Sequence, residues 1–228
     1  MLFRSFVVKL SISQYSDIVV AFYLLAALSC LSQAKLEDNQ AWAILSGLCI
    51  GLVSFTKTEG MVAGAIIVAL AFPFFLHGLT PKPRLLKSFL AAALIASLPT
   101  IIFKFVLSPV NVAFTNGLTS MDAPTNMFRL QATFMFLCIE LISAKWNGLW
   151  ILLIGGLLIA GRKCFHQGRW IVPATLLIFL TCAIGYYYLN TYFEILWWLK
   201  VSLNRILYTL LPVFVWWVFF SLWAPAKK

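Results

Sequence analysis

Long apolar runs separated by short polar breaks dominate this chain. They cover roughly residues 17–32, 41–55, 61–79, 85–107, 147–161, 170–189 and 206–223. Most approach the about 20 apolar residues that carry a helix across a bilayer. Backbone in lipid finds no water to bond, so each run predicts an α-helix. The pattern predicts an all-α protein: a polytopic transmembrane helical bundle of about seven spans forming one domain over residues 1–228. Pro99, Pro173 and Pro212 fall inside runs, where neighbouring helices can satisfy the freed carbonyls. Gly155, Gly156 and Gly161 form a small-residue face suited to helix packing. Segment 127–146 differs, because Arg129, Gln131, Glu140 and Lys145 interrupt it. It predicts an outer interfacial helix, or one that dips in and returns, in preference to a lipid-facing span.

Composition agrees with the pattern. The chain is 62% hydrophobic and 11% charged, with a mean hydropathy of +0.95, whereas soluble domains carry about 25% charged residues. No stretch is long and polar enough to fold as a separate soluble domain. The net charge of +10 does not point to nucleic acid, since the cations are spread over loop edges, where they set orientation and meet anionic headgroups. Loops 81–87 and 161–169 and the tail at Lys227 and Lys228 are basic, which predicts a cytoplasmic side for all three. The aromatic-rich stretch 186–198 then lies outside, with Trp197 and Trp198 as interfacial anchors. The predicted setting is a bacterial inner (plasma) membrane, with the outer ends facing the periplasm. Arg4 and Lys9 precede an apolar stretch as in a signal peptide, but Asp17 interrupts the approach and no convincing cleavage site follows, so the stretch reads as a retained span.

Candidate chemistry is sparse. There is no GxSxG, P-loop, HExxH or paired-cysteine metal motif, and neither His77 nor His166 has a spaced ligand partner. The five cysteines show no disulfide framework; four fall in apolar segments and read as small core residues, and Cys164 in its basic loop reads as a reduced thiol. The informative feature is the break at Lys57 and Glu59, two opposite charges between two apolar runs. Such charges are costly unless they face water, a partner or a ligand. On the threading above, Asp17, Lys57, Glu59, Glu194, Lys200 and Arg205 gather at the outer ends of spans. Each has a structural reading beside the functional one. Lys57 and Glu59 could form a solvated turn, Asp17 could serve a helix N-terminus, and Arg205 could snorkel to headgroups. Glu194 and Lys200 read as interfacial.

Three segments carry a family resemblance: Gln14-Tyr15-Ser16-Asp17-Ile18-Val19-Val20-Ala21 at the entrance to a span, Gly51 to Gly60 around Thr56-Lys57-Thr58-Glu59, and Ser202-Leu203-Asn204-Arg205-Ile206-Leu207 followed by Pro212. In that order they resemble the GT-C type integral-membrane glycosyltransferases that use polyprenyl-phosphate sugars, the protein O-mannosyltransferase and aminoarabinose-transferase-like group. The resemblance implies a sugar donor whose lipid tail stays in the bilayer and whose phosphate is met by Lys57 and Arg205. Glu59 would orient Lys57, Tyr15 would support the entry segment, and Asp17 would fix a loop, contact sugar or acceptor, or stand in as the catalytic base. It implies no cofactor, although some relatives use a divalent cation. The family's first span and the first outer loop, with its general-base aspartate, have no counterpart here. The chain thus reads as a C-terminal portion of a larger transferase, paired with a missing N-terminal portion or with an intact homologous subunit. Two other functions stay open: a transporter or flippase for a lipid-linked substrate, and a non-catalytic membrane subunit.

Overall fold

A computed structural model describes residues 16–77, 80–109 and 123–223. The described residues form helices joined by short connections, and no strand occurs among them. We number the α-helices α1 Asp17–Glu37, α2 Gln40–Thr56, α3 Thr58–Leu76, α4 Pro83–Ile102, α5 Ala123–Ile142, α6 Leu149–Ala160, α7 Ile171–Leu189 and α8 Ile195–Trp223. One π-helical turn, Phe103–Leu107, extends α4, and 3-10 turns cover Ala144–Trp146 and Gly161–Gly168.

Five helical segments are long and apolar enough to cross a membrane: α1, α3, α4 with its π turn, α7 and α8. This is compatible with a multi-pass membrane protein. It is fewer than the seven spans expected, for a geometric reason. The 17-residue α2 and the 12-residue α6 are shorter than these five; α2 sits at the lower limit of a spanning helix and α6 is well below it. α6 is bounded at both ends by backbone with positive φ, at Asn147 and Gly148 before it and at Gly161 after it, where a right-handed helix cannot continue.

Segment 127–146 is not a simple surface helix. Ala132 of α5 packs with Tyr187, Leu199 and Leu203, and Leu137 and Leu141 pack against the cluster of Trp146, Trp150, Leu207, Tyr208 and Leu211. α6 then follows the second half of α8, through Trp150 on Phe214 and Gly156 on Val218. The two helices thus flank α8 in succession, and Trp146 in the break between them packs with Leu207, Tyr208 and Leu211. The expected glycine face is only partly used: Gly156 faces Val218, while a Cβ on Gly155 or Gly161 would meet nothing within 4 Å. The close approach lies instead at Gly47 and Gly51 on α2. A Cβ there would come within 2.4 Å of the Phe89 carbonyl oxygen and 2.2 Å of Ala96, so α2 and α4 meet backbone to backbone.

Local chemistry explains the helix ends. Asp38 adopts the left-handed conformation that closes α1, and the Asn39 side chain accepts the Ala41 N–H at 2.9 Å to open α2. The basic loops meet at this end of the bundle. Lys82 donates to the Lys35 carbonyl at 2.9 Å and pairs with Asp38 at 3.2 Å. Lys35 donates to the Phe74 carbonyl and lies over its ring. Gly168 rests against Phe74, and Trp217 donates to the Cys164 carbonyl at 3.0 Å. Pro173 sits in the first turn of α7, where its missing N–H has no helical partner to lose, so it breaks nothing. The tail lysines lie outside the described residues.

Candidate functional site

Asp17 and Glu59 lie at the other end. Thr56 turns its hydroxyl back onto the Val53 carbonyl at 2.7 Å, a local bond that competes with the helix ladder. α2 stops there. Lys57 alone is extended, at φ −163° and ψ 156°, and α3 starts at Thr58. Gly60 lets the two helices fold tightly over this one-residue hinge, since a Cβ would lie 2.0 Å from the Val53 carbonyl oxygen. Glu59 falls in the first turn of α3, where the helix dipole favours a negative charge.

The hinge points Lys57 at Asp17, the first residue of α1. Lys57 Nζ lies 2.9 Å from Asp17 Oδ1 and 3.1 Å from Glu59 Oε1. Arg205, 188 positions from Asp17 in sequence, brings its Nε within 2.7 Å of Asp17 Oδ2 and an Nη within 3.5 Å of Oδ1. The Asp17 side chain is 2% exposed, against about a quarter for each cation and 45% for Glu59. A carboxylate this buried needs close counter-charges, and it has two. The chain therefore unites four of the five residues picked out by sequence. Tyr15, the fifth, lies outside the described residues.

The arrangement corrects two expectations. Asp17 does stand in a helical first turn, but it is also the shared counter-ion of the two cations, so helix-dipole stabilisation is not its whole role. Arg205 is not at the start of its helix. α8 begins ten residues earlier, because the Glu194 carboxylate accepts the N–H groups of Leu196 and Trp197 at 2.9 and 2.7 Å and so opens the helix there. Those two bonds hold the Glu194 carboxyl below its ordinary pKa.

The early start of α8 builds a wall that sequence reasoning missed. A cleft of about 620 Å³ opens beside the ion cluster between α3, α7 and α8. Thr58, Glu59 and Val62 form one side, and Tyr186, Phe193 and Trp198 give it an aromatic face. Ile206 and Phe179 line both this cleft and the small gap next to Asp17 and Lys57. Its volume falls in the range of small-molecule sites. Trp198, expected at the membrane interface, instead packs edge-on against Tyr186 and Tyr187, with ring centres 5.2 and 4.9 Å away. Trp197 is the exposed member of the pair. Two cysteines expected in the core, Cys138 and Cys182, are exposed, and Cys182 lines the cleft. Cys164, in contrast, is buried.

A second buried charge supports the aromatic face. Arg129 on α5 is 3% exposed. Its guanidinium donates to the carbonyls of Tyr187 at 2.9 Å, Phe193 at 3.2 Å, and Asn190. These close the end of α7 and the turn into α8, so one planar fork sets the loop that carries Phe193. Tyr187 is fixed again by its hydroxyl, 2.7 Å from Ser202 Oγ, which itself donates to the Trp198 carbonyl at 2.6 Å. Lys200, read as interfacial, is exposed.

Among the described residues, no group of three or more histidine, cysteine, aspartate or glutamate side chains could hold a metal ion. What the described side chains bring together is a pair of cations matched by two carboxylates, beside a cleft with an aromatic face. No protein-family model, curated protein or solved structure matches the chain.

Proposed function

We propose that the chain serves as a membrane glycosyltransferase of the GT-C type, or as the donor-binding portion of one. On this reading it takes a sugar from a polyprenyl-phosphate donor at the periplasmic or lumenal face. The observation that carries the reading is the aromatic-lined cleft of about 620 Å³ opening directly beside the Lys57–Asp17–Arg205 cluster. The polyprenyl tail stays in the bilayer, the phosphate lies near the hinge, and the sugar lies against the aromatic face. In transfer, the bond from the anomeric carbon to the phosphate oxygen breaks, the acceptor oxygen bonds to that carbon, and the phosphate keeps the electron pair. Lys57 and Arg205 stabilise the charge that develops on the phosphate. Asp17 holds both cations in place. Its burial and its two partners make it a positioning group in this reading and leave Glu59 as the carboxylate that faces the cleft and can take the acceptor proton. The cytoplasmic placement of the basic loops sets the orientation, in an inner or plasma membrane of about seven traverses, with α5 and α6 sharing one of them.

One observation favours a second reading, a non-catalytic membrane subunit. Asp17 and Glu59 already balance Lys57 and Arg205, so the cluster is satisfied as it stands. Cys182 separates the possibilities. In a Cys138→Ser background in nanodiscs, a polyprenyl-phosphate sugar should slow maleimide labelling of Cys182, and Trp198→Ala should remove that protection. Labelling unchanged by the donor overturns the reading. Protection with sugar transfer to a supplied acceptor supports the complete transferase, and protection without transfer leaves the donor-binding portion.

A further inference from the structure

We infer that Lys104 is a phosphate-binding residue at the mouth of this cleft and that it completes an anion site for a prenyl-phosphate headgroup. The inference rests on the proposed function and deepens it. Lys104 lies in the run that reads as an uninterrupted span, and the sequence gives it no partner. The structure sets it on the one π-helical turn among the described residues, Phe103–Leu107, closed by the bond from the Ser108 N–H to the Phe103 carbonyl at 2.7 Å. Such turns are frequent at functional sites. Here Lys104 Nζ comes to 3.4 Å from Thr58 Oγ1, and Thr58 lines the cleft next to Glu59.

Charge counting gives this contact its meaning. Lys57 and Arg205 are offset by Asp17 and Glu59, so that cluster offers an entering anion no surplus positive charge. Lys104 has no acidic partner among the described residues and supplies the missing charge. The Thr58 hydroxyl accepts from Lys104 and keeps its own O–H to donate, so lysine and threonine present two donors to one phosphate. The neighbours Phe103, Phe105 and Val106 are exposed apolar side chains, the surroundings that a prenyl chain entering from the bilayer would meet.

The test uses the whole chain in phosphatidylcholine nanodiscs, with farnesyl phosphate and farnesol as probes and phosphatidylglycerol as competitor. Losing a charge-assisted bond should weaken farnesyl phosphate binding by about tenfold in Lys104→Gln. Farnesol binding should be unchanged, Lys104→Arg should recover most of the loss, and Thr58→Val should cause a smaller one. Thermal unfolding of each variant checks that it is folded. If Lys104→Gln binds farnesyl phosphate as the parent does, if farnesol binding falls equally, or if the parent binds no phosphate, the inference is overturned. If phosphatidylglycerol competes as well as farnesyl phosphate, and does so through Lys104, the anion site stands and the glycosyltransferase reading falls.

Discussion

Asp17 and Arg129 are almost equally buried, at 2% and 3% exposure, yet the bundle satisfies them in opposite ways. Asp17 meets two full charges, Lys57 and Arg205. Arg129 meets three carbonyl dipoles at the end of α7 and in the turn that follows. The difference teaches what each residue contributes. At Asp17 the charge matters, because one buried carboxylate is shared by two cations. At Arg129 the shape matters, because a planar fork can reach three carbonyls at once. The first clasp fixes the cations beside the cleft, and the second fixes its aromatic wall.

The largest expected effect breaks the first half of this comparison. Asp17→Asn keeps the shape and removes the charge, leaving Lys57 and Arg205 facing each other across a neutral amide. Breaking a buried pair costs about 3–5 kcal/mol. About 3 kcal/mol is expected here, since both cations are partly exposed and Lys57 keeps Glu59. Unfolding of the detergent-solubilised protein measures it. Adding Arg205→Gln to Asp17→Asn should cost less than the sum of the single changes. Independent, additive losses would show that the three side chains do not act as a unit.

Arg129→Lys is the complementary change, keeping the charge and losing the fork. A lysine head can serve one or two of the three carbonyls, so a loss of about 1–2 kcal/mol is expected. Arg129→Met, which serves none, should lose about 2–3 kcal/mol. Both should also increase maleimide access to an introduced Tyr192→Cys in the turn that Arg129 holds. If Arg129→Lys proves neutral, the fork is dispensable and the contrast with Asp17 collapses.

The two clasps were unequally legible in the sequence. Asp17, Lys57, Glu59 and Arg205 each stood out because a charge beside an apolar run demands an explanation, and the expectation that they share one end of the bundle matches their distances. That Asp17 would be shared by both cations could not be read, since the pairing with Arg205 joins positions 188 apart. Arg129 looked like one polar residue among several on a surface helix. Its partners are backbone carbonyls, which have no side-chain signature. The same blindness hid the wall of the cleft. The apolar run begins at about residue 206, whereas Glu194 opens α8 eleven residues earlier by accepting the N–H groups of Leu196 and Trp197. Gly47 and Gly51, four residues apart on α2, did carry a readable packing pattern.

Glu194 supplies the smallest effect and sharpens the comparison from the other side. It is the acid close enough to Arg129 for each to influence the other, yet no ion pair joins them among the described residues. Both Glu194 oxygens are spent on the first N–H groups of α8. The depressed pKa of Glu194 fixes the sign of its pH dependence. Its contribution is present above the ordinary glutamate pKa, where the unfolded chain is also ionised, and it is lost as pH falls through the lower folded value. Glu194→Gln should therefore be slightly less stable than the parent near neutral pH and indistinguishable from it in strong acid. Because the carboxylate is exposed, the difference should be small and should shrink further in high salt. A double change with Arg129→Met tests the separation of roles. If Glu194 serves α8 alone, the two losses add. Strong coupling would mean that Arg129 also relies on a carboxylate, as Lys57 and Arg205 do, and that the two buried charges are held by the same kind of partner after all.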